Sequence, residues 1–123
     1  MELKIHTDNG VAIAELISEN VKIASEQDAL DVMAHADYQG ARKIILHRKN
    51  IVDEFFDLKT RLAGDILQKF TNYQVDVAII GDFENVSSKS LRYFIYESNK
   101  STHVMFLANA NDAVSRWSSK NLR

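Results

Sequence analysis

The residues of this 123-residue chain that could carry chemistry cluster just after its short apolar runs. His47, Arg48, Lys49 and Asn50 follow Ile44-Ile45-Leu46, and a loop bearing Asp53, Asp57, Lys59 and Thr60 comes next. Gly81, Asp82, Phe83 and Glu84 follow the run that ends in Ile79-Ile80, with Ser87 and Ser88 soon after. Asn109, Asn111 and Asp112 follow Val104-Met105-Phe106-Leu107. An imidazole exchanges protons near neutral pH, and a neighbouring carboxylate can orient it. A lysine can hold an anion, and a phosphate at a helix start faces free backbone N–H groups. His47, Lys59, Thr60 and Asp82 are therefore the candidates for a small catalytic or ligand-binding cluster.

Each of these has a plainer role. Asp57 or Thr60 suits an N-cap, because the first N–H groups of a helix need an acceptor. Lys59 reads as a solvated charge and Asp82 as a turn residue. His47 has no second histidine at ligand spacing, since His6, His35 and His103 lie on other elements, so no metal site is expected. There are no cysteines, hence no disulfide, thiolate nucleophile or thiolate ligand. A Ser–His–Asp set can be assembled on paper, but no G-x-S-x-G elbow supports it, and neither phosphate-binding glycine motif is present. No cofactor is expected.

The elements that must position these residues are legible in the periodicity. Leu3 and Ile5 alternate with polar neighbours, Asn9-Gly10 makes a two-residue turn, and Val11 and Ile13 resume the alternation, so residues 2–17 read as an antiparallel hairpin. Ser25 caps a helix whose apolar face is Ala29, Leu30, Val32, Met33 and Ala36 and whose stop is Gly40. Three near-continuous apolar runs, at 44–46, 75–80 and 104–107, suit parallel strands. Between them, Leu62, Ala63, Ile66, Leu67, Phe70 and Tyr73 recur at helical spacing. So do Leu91, Phe94 and Ile95 after a Ser87 cap, with Val86 and Leu91 placed as a hydrophobic staple. Tyr93 and Tyr96 on that helix are expected to be partly buried against the sheet, with an exposed partner patch as the alternative. A last helix starts near 109–111, carries Ala113, Val114 and Trp117, and gives way to a polar tail from about 118.

The order is β-β-α-β-α-β-α-β-α, which predicts one α/β domain over 1–123. Its sheet is mostly parallel with an N-terminal antiparallel hairpin. Gly64 is out of place, since an interior helix glycine costs about 1 kcal/mol relative to alanine. The expected reason is close packing of its helix. The alternative is a bare backbone, one turn from Thr60, that leaves room for a ligand or partner.

Composition narrows the classes. With 46% hydrophobic and 26% charged residues, the chain reads as an ordinary globular domain. A net charge of −2 with interspersed signs gives no basic stripe, so nucleic acid is disfavoured. The short basic clusters Arg42-Lys43 and His47-Arg48-Lys49 read as solvated strand ends. The apolar runs are too short for a membrane span and no signal pattern opens the chain, so the expectation is a cytoplasmic protein with no membrane partner.

The stretches EQDALDVM (26–33), YQGARKIILHRKNI (38–51), FFDLKTRLAGDILQKFTNYQV (55–75), AIIGDF (78–83) and SKSLRYFIYESNK (88–100) resemble a family of small bacterial proteins catalogued only as a domain of unknown function. The element order also resembles the STAS domain of anti-sigma-factor antagonists and sulfate-transporter tails. In STAS domains a D-S-S-G-L loop opens the second helix, and phosphorylation of a serine there breaks binding to a partner kinase. Asp57-Leu58-Lys59-Thr60-Arg61-Leu62 occupies the equivalent place. Asp57 keeps the acid, but Leu58 and Lys59 stand where the serines would align, and Thr60 falls on the glycine unless the register slips by one.

The resemblance implies a non-enzymatic regulatory or protein-interaction module. Its contact surface would comprise His47, Asp57, Lys59, Thr60, Gly64, Asp82, Ser87 and Ser88, with Thr60 as candidate phospho-acceptor. The alternative is a small enzyme or small-ligand-binding protein using His47, Lys59, Thr60 and Asp82. The expected partner is an unidentified protein, a small ligand is the lesser option, and the chain itself is expected as monomer or homodimer through the hairpin's exposed edge.

Overall fold

The computed structural model describes residues 1–119. Strands β1 (Leu3–Asp8) and β2 (Val11–Leu16) form the expected antiparallel hairpin. Its turn is Asn9-Gly10, whose φ angles of 52° and 78° are those a tight hairpin requires. There follow α1 (Glu26–Tyr38), β3 (Lys43–His47), α2 (Leu62–Asn72), β4 (Asp76–Ile80), α3 (Lys89–Ser98), β5 (Val104–Leu107) and α4 (Ala110–Ser119). The five strands lie side by side in chain order, β2 to β5 parallel, so the predicted element order and mixed sheet are what the chain forms.

Strand order running one way, with right-handed crossovers, sends every connecting helix to the same face. The core records this. Ala14, Leu16, Ile44, Leu46, Val77, Ile79 and Phe106 point into one buried cluster with side chains of α1, α2 and α3. The other face, through Ile13, Ile45, Ala78, Ile80 and Met105, packs on α4, with Ala113 and Trp117 buried and Ala110 and Val114 beside them. Trp117 is pinned there by its Nε1–H on the Thr102 carbonyl (2.8 Å), with the Lys43 ammonium 5.9 Å above its ring.

The caps follow local chemistry. Ser25 Oγ accepts from the Asp28 N–H, and Asp28 returns a carboxylate to the Ala24 N–H (2.8 Å). Asn109 caps α4 by accepting from the Asp112 N–H (2.9 Å). At α3 the cap is Ser88, not the expected Ser87: Ser88 Oγ accepts from the Leu91 N–H. That shift removes Val86 and Leu91 from the staple positions, although both still pack on the core.

Other expectations change too. Tyr73 ends α2 instead of joining its buried stripe and is 55% exposed. Tyr93 and Tyr96 are exposed by 66% and 65%, because the inward stripe of α3 is Leu91, Phe94 and Ile95. The polar tail expected from about 118 does not begin there. Ser118 is buried in α4, and 120–123 lie outside the described residues.

Candidate functional site

Between β3 and α2 the chain makes three short 3-10 turns, at Arg48–Asn50, Asp53–Phe56 and Leu58–Thr60. The first is fixed by Asn50, which is fully buried. Its side chain donates to the carbonyls of Ser18 and Asn20 and accepts from the His47 N–H, while its own carbonyl accepts from the N–H groups of Lys22 and Ile23. One asparagine thus ties the β2–α1 loop to the end of β3. Farther on, the Arg48 guanidinium lies 3.9 Å from the centre of the Phe56 ring and pairs with Asp53 at 2.9 Å.

The opening turn of α2 is built from the two predicted caps, each in its own place. Asp57 Oδ1 accepts from the Lys59 N–H and caps the last 3-10 turn. Thr60 Oγ1 accepts from the Leu62 N–H and lies 2.8 Å from two carbonyls, those of Glu54 and Asp57, to which its proton can be donated. Arg61 then turns the chain with φ of +68°, a left-handed conformation uncommon for a side chain of this size. α2 starts only at Leu62, and Lys59 and Arg61 stay exposed.

Gly64 is exposed, and a Cβ placed on it would meet nothing within 4 Å. The close packing expected to explain this glycine is absent. Gly81 is the opposite case: its Cβ would stand 2.8 Å from Arg48 Cβ and 3.2 Å from the Phe83 ring. This glycine lets the β4–α3 loop lie against the start of the β3–α2 segment. Asp82 beside it serves the turn, accepting from the Glu84 N–H.

His47, Lys59, Thr60 and Asp82 therefore share one edge of the sheet without forming a cluster. Asp82 lines an open cleft of about 530 Å³ with Phe83, Glu84, Ile95, Asn99 and Phe106. His47 lines a separate one of about 220 Å³ with Ser18, Glu19 and Lys49. Ser87 lends only its carbonyl, to Arg92, and Ser88 is spent on its cap.

His47 has other partners. Its Nε2 lies 2.6 Å from one oxygen of Glu15, and His6 Nε2 lies 2.7 Å from the other. Glu15 is opposite Lys4 and Ile45 in the two ladders, so the histidines are its diagonal neighbours on β1 and β3. Burial opposes ionisation of this carboxyl. The hydrogen bonds and positive charge of His47, then of His6, outweigh it and hold Glu15 below its ordinary pKa. The trio lies on the sheet face that carries α4, and its side chains are 27%, 13% and 29% exposed for His6, Glu15 and His47. Its signal was in β2, where Val11 and Ile13 begin an apolar row and Glu15 breaks it.

The basic clusters are also paired: Arg42 with Asp37, Lys43 with Asp76, and Lys49 with Glu19. Among the described residues no His/Cys/Asp/Glu group is arranged to hold a metal ion, and no helix is long and apolar enough to cross a membrane.

Comparison with known proteins places the chain in a family. The model of a family described as a domain of unknown function (DUF4180) matches residues 8–117, and the chain belongs to that family. No curated protein and no solved structure matches it.

Proposed function

We propose that this DUF4180 protein is a non-enzymatic regulatory or protein-interaction module of the bacterial cytoplasm. In a STAS-like way, it would meet a protein partner through the start of α2 and the loop after β4. Gly64 carries this reading. A glycine on an exposed helix surface costs stability and, with no neighbour within 4 Å, repays none of it in packing. A bare backbone at that point lets another chain approach α2 closely. The side chains around it, Asp57 and Thr60, are engaged in local caps, which suits a shaped contact surface better than a reaction centre.

Phosphorylation of Thr60 is the lower tier of the proposal, and the geometry supplies its mechanism. The hydroxyl lies against the Glu54 and Asp57 carbonyls, which also accept from the backbone N–H groups of Asp57 and Thr60. A phosphate there brings about −1.5 to −2 charges and no donor, so it would face two acceptors. The 3-10 turns before α2 would open, and the contact surface would change shape.

The test uses Gly64→Leu, which has open space and a better helix former, so folding is preserved. Affinity capture from the source cells, with wild type and Gly64→Leu compared quantitatively, should lose one partner in the variant. Thr60→Asp should weaken the same partner. If a partner is captured equally by wild type and Gly64→Leu, the α2 surface is not where it binds.

A second reading, a small-ligand or catalytic site, is favoured by one observation: Glu15 converges with His6 and His47 on a partly exposed stretch of the sheet. It transfers the role expected of His47, Lys59, Thr60 and Asp82 to His6, Glu15 and His47. Histidine ring resonances that shift on adding a small-metabolite panel, and stay still in Glu15→Gln, would support it.

A further inference from the structure

The two edges of the sheet are not equivalent. At β5 the Asn99 side chain acts as a surrogate strand: its amide donates to the Phe106 carbonyl (3.0 Å) and its oxygen accepts from the Phe106 N–H (2.7 Å). The pairing groups of Phe106 on that edge are therefore already taken. At β1 the Ile17 N–H bonds the Glu2 carbonyl, and the two-residue turn makes Asp8 and Val11 a bonded pair. Bonded and non-bonded pairs alternate along an antiparallel ladder. The even residues of β1 therefore bond β2, while Leu3, Ile5 and Thr7 direct their N–H and C=O groups outward.

We infer that β1 pairs antiparallel with β1 of a second copy, about a two-fold axis at His6, to give a continuous ten-stranded sheet. Charge chooses the register. Outward-facing residues must oppose each other, which leaves few alignments. Setting Ile5 on Ile5 puts Glu2 against Asp8. Setting Leu3 on Ile5 puts Lys4 against Lys4. Centring on Thr7 leaves Lys4 facing Gly10 in the turn. Only the alignment on His6 sets Lys4 against Asp8, and the symmetry does so twice. Lys4 and Asp8 are both exposed and lie on one side of the strand, on the sheet face that carries α4. Ile5 then bonds Thr7 of the other copy, reciprocally, and the two His6 side chains meet across a non-bonded pair, each with the Glu15 carboxylate of its own copy at 2.7 Å to offset their mutual repulsion. This surface is separate from the α2 surface above.

The absence of native cysteine makes the register directly readable. Non-bonded antiparallel partners have Cα atoms about 4.5 Å apart, within disulfide range. Under mild oxidation His6→Cys should cross-link into dimers in high yield, and Ile5→Cys should do so poorly. Sedimentation equilibrium of the native chain should show dimer forming with concentration. Lys4→Asp should weaken it about tenfold, by converting two attractive cross-strand pairs into repulsive ones. Adding Asp8→Lys should restore it, a readout independent of any effect of the cysteine on folding. A native chain that stays monomeric at every concentration overturns the inference. So does better cross-linking by Ile5→Cys, or a charge swap that restores nothing.

Discussion

Gly64→Ala and Gly81→Ala form a paired prediction of opposite sign. At Gly64 the backbone is ordinary right-handed helix, the position is exposed, and the new methyl has nothing within 4 Å. The folded state therefore gains no clash and little contact. The change acts mainly by reducing the freedom of the unfolded chain, worth about 0.5–1 kcal/mol. For a domain this size that should raise Tm by about 2–5 °C. At Gly81 the methyl would fall 2.8 Å from Arg48 Cβ. That atom is the root of its side chain and moves only with its backbone, which Asn50 anchors. Arg48 also stacks on Phe56, so relief costs further contacts. A loss of about 1–3 kcal/mol is expected, as for other overpacked sites. Urea unfolding at one pH, with m-values checked for constancy, measures both. A destabilised Gly64→Ala would refute the claim that the fold makes no use of that glycine, and with it the argument for a partner surface at α2.

The remaining predictions use the same assay. Asn50→Ala should cost about 2–4 kcal/mol, since it deletes three hydrogen bonds of a buried side chain and strands the carbonyls of Ser18 and Asn20. Thr60→Val keeps the shape but removes the hydroxyl shared by the 3-10 turns and the Leu62 N–H. The expected loss is about 1 kcal/mol, with faster amide exchange at 57–62. Glu15 is held ionised in the folded state, so its stabilisation is present above its unfolded pKa and is lost as pH falls through the lower folded value. Stability of the wild type should therefore drop below about pH 4.5 more steeply than that of Glu15→Gln. Equal slopes for the two would mean that the histidines do not favour the carboxylate.

The sequence showed the elements clearly because each obeys a local rule. Asn9-Gly10 dictates its turn, Ser25 and Gly40 bracket α1, and the runs at 44–46, 75–80 and 104–107 have the length of buried strands. What stayed hidden depended on geometry across elements. The 3-10 turns at 48–60 have no repeating pattern. Their path is set by Asn50 reaching back some thirty residues, with Ser18 |i−j|=32 away. Ser87 and Ser88 are equally good caps in one dimension, and only the approach of the chain to α3 selects Ser88. The expectation for Gly64 failed in an informative way. Helix glycines usually mark close packing, and here the helix surface is bare.

Topology then explains where polar residues can gather. With β2 to β5 added in one direction, α1, α2 and α3 all cover a single face, and α4 is left to cover the other from its β5 side. One helix is too narrow for five strands, since strands stand about 4.8 Å apart and a helix is about 10 Å wide. α4 still reaches the hairpin at its far end, burying Ile13 and bringing Ser118 Oγ to the Asp8 carbonyl (3.4 Å), so what it leaves less covered is the Glu15 end of β2 with the adjoining parts of β1 and β3. His6, Glu15 and His47 lie on those three strands, where side chains stay partly exposed. The same limit leaves β1 as an edge with no helix beyond it, while β5 has Asn99. A carboxylate-centred cluster and an open edge are thus two results of one strand order. A second copy joined at β1 would place two such clusters side by side on a single broad face.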